Sequence, residues 1–327
     1  MADWSGAEAY AASYARLCGG AAGPLLDLLE RAGGGRGVLA DVGAGPGTLA
    51  VAAVQRGWEV VPIEPEPAMR VVAERALGRS VREGALPDLP LRTGTVDAAA
   101  ANFVVNHLPD PRAGVRELAR VVRPGGAVAV SIWPSGPNAL TPLWEHLFAA
   151  TGARRPDGLR LDPALDFDRS EAGLAALLSQ AGLIDVVAAT ARFDFAVEPE
   201  PLWRSVEAGI GVIGTTWRRQ TAAMRAAMRD AYRTETARLA ADGVLRFPAV
   251  ALLAVGRRSG GAAEGERLTS SVPLPTDPRE ARATGSTGRS SPLPADQAAG
   301  GTPVPILRRR STTNTAVVST AHTASTT

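Results

Sequence analysis

Blocks of apolar and polar positions follow one another regularly through the first half of the chain. Residues 6–18 carry a modest helical pattern with Tyr10 and Tyr14 four apart on one face. Residues 24–32 carry a clearer one, opened by Pro24 and closed by Gly33, Gly34 and Gly35. An apolar run from Val38 to Val42 follows, interrupted by one acid, Asp41. Gly43, Gly45 and Gly47 then stand at alternate positions before a helical pattern from Leu49 to Val54. Residues 58–63 read as a second strand ending at Glu64, with a helix from Pro67 to Arg75 behind it. A short third strand is expected at 80–83. Asp97 to Val105 is apolar almost throughout, as befits a strand covered on both faces. Residues 112–122 predict a helix, broken at Arg123-Pro124-Gly125-Gly126, and Ala127 to Trp133 a fifth strand. Strand and helix thus alternate across this half, which predicts a parallel sheet with right-handed crossovers.

The pattern changes beyond Trp133. Helices are expected at 139–151, at 171–181 with Ser170 as N-cap, and as one long element at 216–241. Strands are expected from Val186 to Val197 and from Pro248 to Gly256. The fold class is α/β: a Rossmann-like doubly wound, mostly parallel seven-stranded sheet with helical cap insertions. After Arg258 the periodicity stops. Residues 259–327 contain no aromatic side chain and few large apolar ones, so they cannot offset the entropy of ordering. The expected division is a cofactor-binding α/β core at 1–135, a substrate cap completing the sheet at 136–258, and a disordered tail at 259–327.

Composition narrows the partners. The chain has 327 residues, 45% of them hydrophobic, ample for a core. Every one of its 35 basic residues is arginine, yet the net charge is only +2. The one tight basic run, Arg308-Arg309-Arg310, lies in the polar tail, so no nucleic-acid groove is expected. Cys18 is the single cysteine, which precludes an internal disulfide and favours a cytoplasmic setting. The first residues lack the charged and apolar regions of a signal peptide, and no apolar run nears the ~20 residues that span a bilayer.

The candidate chemistry starts at the glycine turn. Glycine admits positive φ and lets a ligand approach the backbone, and the helix start behind it offers unpaired N–H groups. The spacing departs from the dinucleotide pattern G-x-G-x-x-G, because Thr48 occupies the third glycine's place. Glu64 lies 21 residues after Gly43 at a strand end, where it suits a ribose in either class of nucleoside cofactor. By itself the turn is compatible with a dinucleotide, a methyl donor or a purely structural role.

Five segments in order extend it. Asp41 to Gly47 resembles the first motif of class I S-adenosylmethionine-dependent methyltransferases. Val61 to Met69 is similar to their second-strand segment, Gly84 to Leu91 to their third-strand loop, Val96 to Pro111 to their fourth strand and its exit, and Arg123 to Gly126 to their late turn. The closest resemblance is to the small-molecule branch, type 11 or ubiquinone/menaquinone-biosynthesis-like, over about residues 6–135 and more loosely over 136–258. It implies that Gly43, Ala44 and Gly45 wrap the methionine and ribose of S-adenosyl-L-methionine. Asp41 would receive the ammonium and Glu64 both ribose hydroxyls. Pro65 and Met69 would flank the adenine, and backbone groups of Ala85 and Leu86 would meet its edge. Ala85 departs from the family, whose members often carry an aspartate there, so one hydrogen bond to adenine is missing. The Asn102 backbone would border the methyl group, and Tyr10 and Tyr14 resemble aromatics that close over the cofactor.

Methyl transfer from a sulfonium needs alignment first, and a base only if the acceptor must lose a proton. His107, just after the fourth strand, is the candidate catalytic base, with a pocket-lining role as its alternative. His146 reads as a surface or packing residue. Trp133, Trp203 and Trp217 suit either a cover for an apolar acceptor or the core of the cap. The expected reaction is methylation of a small molecule by direct displacement, leaving S-adenosyl-L-homocysteine, with no metal, nucleic acid or membrane, in a monomer or homodimer. The alternatives are a cofactor-binding auxiliary or regulatory protein without catalysis, a hydride-transfer enzyme, and a nucleic-acid methyltransferase. The last would carry Asn/Asp-Pro-Pro-aromatic where this chain has Asn102-Phe103-Val104-Val105.

Overall fold

A computed structural model describes residues 6–33, 36–154 and 164–260, with the backbone of Val318–Ser319. Three helices, α1 (Ala7–Ala11), α2 (Tyr14–Gly19) and α3 (Ala22–Arg31), lead into the strand β1 (Val38–Val42). Then follow α4 (Thr48–Gln55), β2 (Glu59–Ile63), α5 (Pro67–Leu77), β3 (Val96–Asn102), a 3₁₀ turn (Val105–His107), α6 (Pro111–Val121) and β4 (Val122–Ile132). The second half holds α7 (Thr141–Thr151), α8 (Glu171–Gln180), β5 (Leu183–Val197), α9 (Pro199–Glu207), α10 (Gly211–Arg218), α11 (Ala222–Leu239) and β6 (Leu245–Arg258).

The six full strands form one sheet in the order β2-β1-β3-β4-β6-β5. The first four are mutually parallel, and β6 runs antiparallel to both β4 and β5. The backbone of Val318–Ser319 lies against Thr190 and Ala191 at the β5 edge. The expected strand at 80–83 reduces to a single parallel bridge from Ile63 to Arg82, so among the described residues the sheet has six full strands and the short Val318–Ser319 pair. The chain leaves the sheet at Gly84, where a Cβ would sit 2.5 Å from Pro90 and 2.9 Å from Ile63. Apart from Ser259, Gly260 and the Val318–Ser319 pair, the tail expected at 259–327 lies outside the described residues.

Alternation along the strands sends side chains to two cores. Leu39, Ala98 and Ala127 face α3 and α4, while Ala40, Val42 and Ala99 face α6 and α8. That is the doubly wound arrangement. A third core lies among α7, α9, α10, α11 and the adjoining ends of β5 and β6, the region expected to form the cap, and there Trp203 and Tyr232 lie 4.8 Å apart with Trp144 stacked on Tyr232 at 6.0 Å. Trp203 is fully buried there, so it serves as core packing and not as an exposed cover. No described helix is long and apolar enough to cross a membrane.

Two predicted helices are each divided. The one at 6–18 breaks at Ser13, whose backbone leaves helical angles (φ −132°, ψ −88°) while its hydroxyl donates to the Ala9 carbonyl at 2.6 Å. The one at 216–241 divides before α11, where the Thr221 hydroxyl accepts the Met224 N–H as an N-cap. Ser170 caps α8 as expected, accepting from the Gly173 N–H.

Candidate cofactor site

The parallel strands β1 and β3 end side by side, and β1 also carries β2 on its other edge. A crevice at the carboxyl ends of strands is where α/β sheets bind ligands. The turn after β1 is bound to β2 through the Gly43 and Ala44 N–H groups, which donate to the Ile63 carbonyl at 2.8 and 3.0 Å. Gly43 has φ 69°, and a Cβ there would meet the Val104 side chain at 2.5 Å. Gly45 has φ 55°, and a Cβ there would meet nothing within 4 Å. One glycine is therefore required by packing and the other opens onto free space.

Two buried acids face this turn. Glu64 is 6% exposed; its Oε2 accepts the Gly45 N–H at 2.8 Å and its Oε1 the Glu66 N–H at 3.0 Å. A carboxylate offers about four acceptor positions, so half of them remain for a ligand. Burial raises the Glu64 pKa, opposed by those two N–H groups. Asp41 is 1% exposed and its Oδ2 has no hydrogen-bond partner. Burial pushes its pKa up to about 7, opposed by the Ala50 N–H and reinforced by the charge of Glu64. A buried carboxylate oxygen without a donor is costly, and a ligand ammonium would satisfy it. These residues fit the methionine and ribose ends of S-adenosylmethionine.

A narrow cavity joins the pieces. Asp41, Gly43, Ala44, Gly45 and Asn102 line it from the sheet, and Tyr10, Ala15 and Cys18 from the helices above. Glu64 reaches it through its bond to Gly45. Pro65 is exposed at the start of α5, and Met69 is buried (2%) one turn further on. Ala85 is exposed, with its carbonyl accepting the Asp88 N–H, and Leu86 is half-buried against the core. Pro65 lies just after β2, Met69 in α5, and Ala85 and Leu86 in the loop beyond α5; all four are outside the cavity lining. Of the tyrosine pair, Tyr10 lines the cavity. Tyr14 stacks on it at 6.4 Å and packs toward the cap, near Gly211.

His107 ends the 3₁₀ turn that follows β3, three residues beyond the Val104 that touches Gly43. Its backbone N–H donates to the Val104 carbonyl at 2.9 Å. The surrounding protein desolvates the imidazole and lowers its pKa, but the residue is exposed, so water limits the shift. It is not part of the cavity lining. The acids form no metal cluster: among the described residues no three His, Cys, Asp or Glu side chains converge in that way.

Three residues at the site carried no signal in the sequence. The Cys18 thiol sits 3.6 Å from the Tyr10 hydroxyl, and burial pushes its pKa up to about 11. Ser131 is fully buried in β4 and bonds to Asn102. The Asn106 Oδ1 is buried without a partner. The Ser131 bond joins positions 29 apart in the chain, beyond the reach of a periodic pattern.

Comparison with known proteins shows what the segment around this site resembles. Residues 40–130 match the family described as "Methyltransferase domain". The chain is 38% identical over 156 residues to an uncharacterized methyltransferase of Mycobacterium sp. strain JLS, covering 44% of this chain and 59% of that protein. It is 32% identical over 152 residues to another from Mycobacterium tuberculosis H37Rv, covering 45% of this chain and 62% of that one. The chain thus spans about 60% of the length of these relatives. Among solved structures, the Haemonchus contortus phosphoethanolamine N-methyltransferase 2 in complex with S-adenosyl-L-methionine is 15% identical, covering 72% of this chain and 52% of that one, with a TM-score of 0.41. Over residues 40–130, from within β1 into β4, the chain is thus similar to methyltransferase domains.

Proposed function

We propose that this chain is an S-adenosylmethionine-dependent methyltransferase acting on a small-molecule acceptor by direct displacement and releasing S-adenosylhomocysteine. The observation that carries the proposal is the buried, unpartnered Asp41 Oδ2 in a cavity whose glycine turn is held by Glu64. The match of this segment to a methyltransferase domain and the methyltransferase names of both mycobacterial relatives support it.

Asp41 receives the ammonium of the methyl donor and Glu64 its ribose hydroxyls. Met69 and Pro65 flank the adenine, and backbone groups of Ala85 and Leu86 border its edge. When bound, the donor supplies a methyl group on a sulfonium, already activated for displacement. The work left to the protein is orientation, which can contribute ~7–11 kcal/mol. Tyr10 and the helices carrying it exclude water above the cavity. His107, its pKa held low, is neutral at pH 7 and takes a proton from an acceptor that has one to lose. The residues from α7 to α11 cover the acceptor. A net charge of +2 and the run Asn102-Phe103-Val104-Val105 favour a small acceptor over a nucleic acid.

The test is incubation with S-adenosylmethionine bearing a trideuterated methyl group and a panel of phenols, amines, carboxylates and quinols. Mass spectrometry should find labelled product together with S-adenosylhomocysteine. Tight donor binding with no product across the panel would favour a non-catalytic role instead.

A further inference from the structure

The proposed site is roofed by two short helices. α1 and α2 are five and six residues long, too short to be stable alone in water. Exposed ion pairs, Arg75 with Glu8 and Arg16 with Glu198, both at 2.8 Å, hold their outer surfaces. Such pairs contribute little in water. A more sheltered tie runs inside, where Asn102 Nδ2 at the end of β3 donates to the Cys18 carbonyl of α2 at 3.2 Å.

One hydroxyl decides how that amide points. Ser131 Oγ donates to Asn102 Oδ1 at 2.6 Å and accepts the Phe103 N–H at 2.9 Å, an N–H it shares with the Ser131 backbone carbonyl at 3.1 Å. With the Phe103 N–H on one of its lone pairs, the hydroxyl proton is directed to the Asn102 oxygen. A reversed amide would set its oxygen against the Cys18 carbonyl, acceptor against acceptor. The same serine steadies Phe103, which has φ 58°, a conformation rare for a residue with a Cβ. The Phe103 ring stacks on Trp133 at 4.0 Å, and its chain runs on to Val104 against Gly43 and then to His107.

We propose that Ser131 is a positioning residue for this site: through Asn102 it holds α2 over the cofactor cavity, and through the Phe103 N–H it sets the turn from Phe103 to His107. The identity of the bound cofactor rests on the proposed function, but the latch is a property of the protein alone.

The test is hydrogen–deuterium exchange on the full-length free protein, comparing wild type, Ser131→Ala and Asn102→Asp. In the last of these the new carboxylate still accepts from Ser131 but offers no N–H to Cys18. Ser131→Ala should speed exchange about fivefold in residues 14–20 and in 103–107, the factor for one lost hydrogen bond of about 1 kcal/mol. Asn102→Asp should speed exchange in 14–20 only. In both variants S-adenosylhomocysteine, followed by stopped-flow tryptophan fluorescence, should leave about fivefold faster. Uniform acceleration across the sheet and α3, or unchanged exchange at 14–20, overturns the latch. If Ser131→Ala does not fold, Asn102→Asp decides by the same criterion. A wild-type protein that does not bind S-adenosylhomocysteine sinks the cofactor assignment, while the exchange pattern still judges the latch.

Discussion

Replacing Asp41 with asparagine should stabilise the free protein and weaken its hold on the methyl donor. The two effects have opposite signs and one origin, a carboxylate that is 1% exposed with Oδ2 unpaired. Burial moves its pKa from 3.8 to about 7, against the Ala50 N–H and with the help of Glu64. A folded-state pKa above the unfolded value means that the folded protein binds the proton more tightly. This group therefore does no harm below about pH 4, and stability falls as pH rises from about 4 to about 7. The interval corresponds to about 4 kcal/mol lost above pH 7. Asparagine has no charge to desolvate, but its amide N–H lacks an acceptor, which costs about 1–3 kcal/mol. The net gain at pH 8 is about 1–3 kcal/mol, or several degrees in Tm for a chain of this size. At pH 5 the gain should vanish. Affinity moves the other way: loss of a charge-assisted bond of about 1.5–3 kcal/mol weakens donor binding tenfold to a hundredfold. In the wild type, donor affinity should fall as pH drops below about 7, because the proton must leave before the ammonium can pair. Differential scanning calorimetry from pH 5 to 8 and titration calorimetry at pH 8 measure both. An Asp41→Asn protein less stable than wild type at every pH, or equal to it in affinity, would refute the reasoning.

Other residues give independent checks. His107→Ala should cut kcat and leave the Kd for S-adenosylhomocysteine unchanged; the limb of the wild-type pH–rate profile below 6.5 should disappear, and an unaltered profile removes His107 as base. The Cys18 thiol, pushed up to about 11, should react slowly with iodoacetamide at pH 8 and more slowly still with S-adenosylhomocysteine present; rapid labelling at the rate of a free thiol contradicts its placement under the roof. Trp203→Ala should cost about 3–5 kcal/mol in urea unfolding, since the ring is fully buried between Trp217 and Tyr232; a loss below about 1 kcal/mol would mean that it is not cap core.

What was legible in the chain was local. β1, its glycine turn and Glu64 at the end of β2 declare themselves because apolar run, glycine spacing and terminal acid lie within a few dozen residues. The sheet's parallel half follows from strand–helix alternation for the same reason. The failures are contests that a hydrophobic pattern does not record. Ser13 keeps its place in the apolar period of 6–18, yet its hydroxyl bonds to the backbone of Ala9 and breaks the helix. Residues 80–83 stand where the alternation calls for a strand, but they make only one bridge before Gly84 packs against Pro90. α9, over which the pattern predicts no element, opens on Pro199 with Pro201 in its first turn, and both fit a helix start. Tyr10 and Tyr14 share a helix face in the sequence, and only the break at Ser13 separates their surroundings. Asn102 meets Cys18 across 84 positions and Ser131 across 29, spans over which side-chain contacts leave no periodic trace.

The most direct measurement is titration calorimetry of the full-length chain with S-adenosyl-L-methionine, on wild type and on Glu64→Ala. The account predicts one site in the wild type and at least tenfold weaker binding in the variant, from the loss of charge-assisted bonds to the ribose of about 1.5–3 kcal/mol. No heat of binding with S-adenosylmethionine or S-adenosylhomocysteine, alongside tight binding of a nicotinamide dinucleotide, would contradict it.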